Sequence, residues 1–249
     1  IKAGYTSFLI DGSALPIEEN IKVSAEFGKY IKDLKLGLEV EIGEITSAGQ
    51  KAHITEVSEA TYFVESLIKE GINPDLLAIN NGSKHGNYAP GEEVFIDLER
   101  TKEIFDYVKE YNIGIAQHGI TGTPDEIMEK FPFFGIRKGN VGTKWQNVAL
   151  SGLPEDLLNK MKEWAKENHK DIKYSIKVFK KEIDNIPEKY KKKIEDLAYT
   201  EALKLFKIFR SENTADLLKE KMSEIKHLLK EGVISKDKLV YPKYNNFRK

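Results

Sequence analysis

Short apolar runs alternate with longer amphipathic segments through the first 150 residues. The apolar runs predict strands at residues 6–11, 36–43, 75–82, 113–119 and, more weakly, 134–141. The intervening segments carry apolar residues at helical spacing, chiefly over 16–34, 58–70 and 98–110. Repeated strand–helix units predict a parallel sheet, and strands without strict alternation are typical of a sheet covered on both faces.

The composition and the hydrophobic pattern of the chain change at about Leu153. Lys and Glu dominate long helical periods there, such as 187–209 and 214–230, and strand-like runs vanish. We therefore expect residues 1–152 to form part of an α/β barrel and residues 153–249 to form a helical extension that packs on it or on a partner subunit. The basic run 191–193 is interpreted as a solvated helix face.

Composition excludes several kinds of protein. The 249 residues carry a net charge of −1, so nothing favours nucleic acid or an anionic membrane. No apolar stretch approaches the roughly 20 residues of a membrane span. Without cysteine, any metal must be held by His, Asp or Glu. A cytoplasmic protein is the default expectation, although the chain begins at Ile1 rather than Met.

Polar side chains follow the predicted strands at their carboxyl ends. They are Asp11, Glu41, His85, His118 and Asn140. In a parallel barrel these ends meet on one rim, where active sites lie. His85 and His118 each precede a glycine and lie 33 residues apart, about one strand–helix unit. A catalytic zinc ion usually takes three protein ligands, so this pair predicts a metal site that is incomplete.

A phosphate site is predicted beside the metal site. Gly86 and Gly119 would let backbone N–H groups approach an anion, and residues 121–123 lead into a helix whose N-cap would be Thr123. Structural alternatives stay open, because Asp11 could belong to a simple turn and Asn140 to a helix entry with Thr143. The other polar and aromatic candidates are interpreted as non-ligands or packing residues: His53, His169, His227, Trp145 and Trp164.

Five ordered segments carry a family resemblance. They are FLIDGSALPIEENI (8–21), LEVEIG (38–43), LAINNGSKHGNY (77–88), QHGITGTP (117–124) and KGNVGT (138–143). In this order they resemble the motifs of the class II, metal-dependent fructose-bisphosphate aldolases. The resemblance runs from residue 1 to about residue 150 and implies a (β/α)8 barrel of which about five units are present.

The resemblance also implies residue roles. His85 and His118 match two of three ligands to a catalytic Zn²⁺, and Asp11 and Glu41 match positions that bind an accessory divalent or monovalent cation. The phosphate and the three-carbon half of the substrate would contact five further residues: Gly86, Gly119, Thr121, Asn140 and Thr143. The implied reaction is the reversible aldol cleavage of a ketose bisphosphate, a step of glycolysis, by a cytoplasmic homodimer or homotetramer.

This sequence departs from the family pattern at several points. The His-x-Asp-His segment that supplies the third zinc ligand and the general base is not found, and we expect it upstream of Ile1. The loop after Glu41 has no acid in register, where Glu44 and Glu56 are weak substitutes. Gly142 replaces the family's Asp, and Ala89 replaces its Lys.

Three hypotheses remain open. The first is a zinc-dependent aldolase, favoured by the retained histidine pair with Asp11 and Glu41. The second is a catalytically silent relative that binds metal or sugar phosphate as a partner subunit, favoured by the altered loop and Gly142. The third is another metal-dependent barrel enzyme, such as a hydrolase, which the phosphate-site glycines disfavour.

Overall fold

Five parallel strands form one sheet in the order of the chain. The computed structural model describes residues 5–43, 53–88, 91–217 and 219–220. The strands are β1 Ser7–Asp11, β2 Gly37–Glu41, β3 Leu76–Ala78, β4 Gly114–Gln117 and β5 Ile136–Gly139. Each strand pairs in parallel with the next, so the predicted parallel α/β fold is confirmed.

Helices connect and follow the strands. They are α1 Ile17–Asp33, α2 Val57–Lys69, α3 Leu98–Val108, α4 Asp125–Met128, α5 Thr143–Gly152, α6 Glu155–Glu167, α7 Ser175–Val178, α8 Lys180–Asp184 and α9 Glu188–Ile208. Short 3-10 turns cover Lys109–Tyr111, Phe131–Phe134 and Ile172–Tyr174. The predicted helix over 187–209 is confirmed by α9, whereas most of the segment 214–230 lies outside the described residues.

The prediction that Thr123 caps the fourth helix is wrong. Pro124 occupies the N-cap position of α4, and no side chain caps this helix. The backbone N–H of Thr123 donates to Ile120 O at 2.9 Å, so Thr123 closes the preceding turn instead. Its buried hydroxyl has no hydrogen-bond partner among the described residues.

Apolar side chains from the strands and from several helices form the main core. Phe63, Leu77 and Ile104 are fully buried in it, and Leu205 and Ile208 of α9 join the same cluster. Lys144 of α5 also pairs with Glu201 of α9 at 2.6 Å. Helix α9 therefore packs against the α/β unit, and its residues 191–193 are exposed as expected.

The sheet is open. Alternate residues of β1 are exposed, and β1 and β5 are its two edge strands within the described ranges. Five parallel strands of this kind fit part of a (β/α)8 barrel, because closure of such a barrel takes eight. Across these same ranges, no helix combines the length and the apolarity needed to cross a bilayer.

Asp97→Ala tests the local stability of the α3 start. The Asp97 carboxylate accepts the Arg100 N–H at 2.9 Å, so we expect its loss to lower the free energy of unfolding by about 1 kcal/mol. Chemical denaturation measures this difference. Glu99→Ala, an exposed change in the same helix turn, is the matched control. An equal effect of the two substitutions would contradict the capping role.

Candidate active site

The carboxyl ends of the strands bring the predicted polar residues together. Asp11 and Glu41 are register partners in β1 and β2. His118 follows β4 directly, and its ring centroid lies 6.2 Å from that of His85. The Nδ1 atom of His118 lies 3.8 Å from Glu41 Oε2. The backbone thus assembles one rim from four separate strand ends, as the sequence predicted.

A buried carboxylate faces the His118 ring from β2. The Glu41 side chain is almost fully buried, and this burial raises its pKa to about 7, with His118 opposing the rise and Asp11 and Glu39 adding to it. Burial likewise lowers the pKa of His85, and the neighbouring His118 adds to that decrease. A bound cation would favour the ionised carboxylate and the neutral imidazole, so both groups suit a metal.

The predicted metal ligands do not form a complete metal site within the part of the chain that the structure describes. No group of three or more His, Asp or Glu side chains there is arranged to hold a metal ion. Asp11 is exposed, and its carboxylate accepts hydrogen bonds from the Ser13 N–H at 3.1 Å and the Ser13 hydroxyl at 2.6 Å. The turn that the sequence left open as an alternative for Asp11 is therefore present. His118 lies near both Glu41 and His85.

A buried hydrogen-bond network joins the two histidine loops. Asn81 donates to Gln117 Oε1 at 2.7 Å, and Gln117 donates to Ser83 Oγ at 3.0 Å. Ser83 in turn donates to the His118 carbonyl at 3.0 Å. A Cβ at Gly119, where φ is +65°, would come 2.6 Å from the Lys84 carbonyl, so only glycine lets the loops meet.

The predicted phosphate-binding residues lie on the same rim. Gly86 has a φ of +94°, and a Cβ added there would meet no other atom within 4 Å. Thr121 Oγ1 accepts the Lys144 N–H at 2.9 Å, next to Thr143, the first residue of α5. The Asn140 amide nitrogen lies 3.0 Å from His118 Nε2. Asn140 therefore lies shortly before α5, as the helix-entry alternative expected, and it also contacts His118 directly.

Sequence reasoning missed Glu39 and Lys138. Glu39 is 1% exposed, its Oε1 lies 2.8 Å from His118 Nε2, and its Oε2 pairs with Lys138 Nζ. Burial alone would raise the pKa of Glu39, but the hydrogen bonds from His118 and Lys138 outweigh it and hold the pKa below its usual value. The sequence does contain one signal for Glu39. It is a second charged residue, two positions before Glu41, in a strand that is expected to be covered on both faces.

Of the two acids considered as substitutes in the altered loop, Glu56 and Glu44, the structure describes only Glu56. Glu56 is exposed, takes part in the capping box of α2 and pairs with Arg100, so it acts in local structure. Glu44 and Ala89 lie outside the described residues. His53 pairs with Glu59 on the surface.

The fold and the rim define a parallel α/β protein in which histidine and carboxylate side chains meet at the strand ends. The chain belongs to the class II fructose-bisphosphate aldolase family, whose family model matches residues 1–213. Members of this family are generally metal-dependent.

Two relatives agree with this assignment. Fructose-bisphosphate aldolase of Ureaplasma parvum serovar 3 is 35% identical over 160 residues, covering 64% of this chain and 53% of the relative. The Streptococcus pneumoniae serotype 4 enzyme of the same name is 31% identical over 150 residues, covering 59% and 48%. The chain thus spans about half the length of these curated relatives.

The structural neighbours support the fold. The YdjI aldolase of Escherichia coli K12 superposes with a TM-score of 0.59 at 24% identity, covering 84% of this chain and 63% of that one. Fructose-bisphosphate aldolase of Campylobacter jejuni gives a TM-score of 0.51 at 20% identity, covering 82% and 60%. These neighbours are barrel-like, and the open sheet fits part of such a barrel.

Proposed function

We propose that this chain carries most of the active-site rim of a zinc-dependent aldolase. In this proposal His85 and His118 bind the Zn²⁺ ion, and Glu41 and Asp11 bind an accessory cation. The reaction is the reversible aldol cleavage of a ketose bisphosphate to dihydroxyacetone phosphate and an aldehyde. The observation that carries the proposal is the convergence of His118, His85 and the buried Glu41 at the strand ends.

The proposal assigns a role to each residue of the rim. When bound, Zn²⁺ supplies a Lewis acid that polarises a substrate carbonyl. The backbone at Gly86 and Gly119 and the Thr121 hydroxyl receive a phosphate, since positive-φ glycines expose N–H groups to an anion. Asn140 and Thr143 orient the three-carbon half of the substrate.

The wider setting is also proposed from the family. We expect a cytoplasmic homodimer or homotetramer in carbohydrate metabolism, with residues 1–152 as barrel and 153–249 as helical extension. Contacts such as Lys144–Glu201 support packing of that extension on the barrel. Light scattering of the purified protein measures the oligomeric state.

A cleavage assay tests the proposed reaction. The protein expressed from its complete reading frame is incubated with Zn²⁺ and fructose 1,6-bisphosphate, and release of dihydroxyacetone phosphate is followed with and without a chelator. We expect cleavage that the chelator abolishes and that added Zn²⁺ restores. Cleavage at full rate after metal removal would contradict the proposal.

A second candidate function is a silent relative that binds metal or sugar phosphate without turnover. It is favoured by the partial metal site within the described residues. Stoichiometric Zn²⁺ binding without cleavage of any tested ketose phosphate would favour this alternative. The same binding with cleavage would favour the enzyme.

A further inference from the structure

Glu39 is a charged side chain inside the sheet, held between two partners. It lies two residues before Glu41 on β2, so both carboxylates point to the same side of the strand. One oxygen lies 2.8 Å from His118 Nε2, and the other contacts Lys138 Nζ of β5. Buried charges require such pairing, and the Lys138 ammonium supplies the opposite charge.

This geometry fixes the position of the His118 proton. An ionised carboxylate only accepts hydrogen bonds, and an unprotonated ring nitrogen does the same. At 2.8 Å a proton must therefore lie between Glu39 Oε1 and His118 Nε2, and the histidine nitrogen is its donor. In the neutral ring, Nδ1 is then the nitrogen with a free lone pair.

We infer that Glu39, neutralised by Lys138, is a positioning residue that holds His118 as its Nε2–H tautomer and leaves Nδ1 to bind the metal. This inference rests on the proposed function and adds to it the nitrogen that serves as ligand. Nδ1 lies 3.8 Å from Glu41 Oε2, so the free lone pair and that carboxylate face the same space. Hydrogen bonds from metal-bound histidines to carboxylates orient the ring in the same way in other metal sites.

Asn140 is the competitor for the same nitrogen. Its amide nitrogen lies 3.0 Å from Nε2 and 3.5 Å from Nδ1. A protonated Nε2 cannot accept a hydrogen bond from that amide. While Glu39 keeps the proton on Nε2, the Asn140 amide can donate only to Nδ1, or it can rotate so that its oxygen faces Nε2. Without Glu39, the Asn140 amide is free to donate to Nε2 and to favour the opposite tautomer.

The test reads the tautomer directly in the metal-free protein. The 249-residue chain is labelled with ¹⁵N-histidine, and long-range ¹H–¹⁵N spectra are recorded near pH 8, above the ordinary imidazole pKa of about 6.5. Loss of one signal set in His118→Gln assigns the residue. We expect the His118 proton on Nε2, and a proton on Nδ1 in the wild-type chain would overturn the inference.

Two variants separate positioning from folding. Glu39→Leu/Lys138→Met replaces the ion pair between the buried Glu39 and the partly exposed Lys138 by apolar side chains, which avoids leaving a single charge unpaired. We expect it to lose the single Nε2–H tautomer and to bind Zn²⁺ about 10–100-fold more weakly. The matched control Lys138→Arg keeps the cation and should keep both properties. An unchanged tautomer and unchanged affinity in the double variant would overturn the inference.

Zinc titration distinguishes this inference from the proposed function. Zn²⁺ added to the labelled chain should shift the His118 Nδ1 resonance. If the proton lies on Nε2 and Zn²⁺ leaves Nδ1 unmoved, the proposed metal site is wrong and the tautomer assignment stands. If Nδ1 carries the proton, the positioning role of Glu39 is wrong, whatever Zn²⁺ does elsewhere on the rim.

Discussion

At pH 8 we expect Glu41→Gln to raise the free energy of unfolding of the metal-free protein by on the order of 3 kcal/mol. Burial raises the pKa of Glu41 from 4.5 to about 7. The folded state therefore binds the carboxyl proton more tightly than the unfolded state does. Wild-type stability from this group falls as the pH rises from about 4.5 to about 7, and the full loss persists above that range.

The pH profile is the decisive measurement for Glu41. Glutamine keeps the shape of the side chain and carries no charge, so the variant should match the wild type near pH 4 and exceed it above pH 7. Urea unfolding at several pH values, with chelator present, gives both curves. Glu163→Gln, an exposed change on α6, controls for the net charge. A stability difference that is independent of pH would contradict the assignment of Glu41.

The same substitution should weaken metal binding. The wild-type carboxylate is kept near the histidine pair at a cost to the stability of the metal-free protein, which a cation would offset. We therefore expect the gain in stability and the loss of Zn²⁺ affinity to occur together in Glu41→Gln. Tighter Zn²⁺ binding by the variant would show that the Glu41 charge does not assist metal binding at the neighbouring histidines.

His118→Ala should weaken Zn²⁺ binding by more than 100-fold, since loss of a ligand exceeds the about 10–100-fold effect of losing a partner of a ligand. The ring is almost fully buried between Glu39, Glu41 and Asn140, where no other imidazole can replace it at the same place. Competition with a chromophoric chelator measures the affinity. Retention of stoichiometric Zn²⁺ at wild-type affinity would refute the assignment.

Two further variants support the His118 experiment. His118→Gln fills more of the vacated space and can still donate to Glu39, so it separates ligand loss from a folding defect. His53→Ala removes an exposed histidine that pairs with Glu59 on the surface, and it should leave Zn²⁺ affinity unchanged. Equal losses in the variants at His118 and His53 would point to nonspecific binding instead of a site.

The strands and the long helices could be predicted from the local pattern of apolar and polar residues, because that pattern repeats with one spacing over many positions. The predicted strand 75–82 shrank to Leu76–Ala78, because residues after 78 leave the ladder and form the buried amide network with Gln117. The Thr123 cap failed for a similar reason, as that residue hydrogen bonds backward to Ile120. Boundaries depend on contacts that no local window contains.

The sequence by itself determined the parallel α/β order, the family, and the strand ends where Asp11, Glu41, His85, His118 and Asn140 would lie. Only the tertiary structure decided what those residues touch. It showed Asp11 in a turn with Ser13, and it paired Glu39 with residues that lie 79 and 99 positions away along the chain. The physical reason is that spacing along a strand fixes which way a side chain points, whereas its charge state and partners depend on which other strands fold against it.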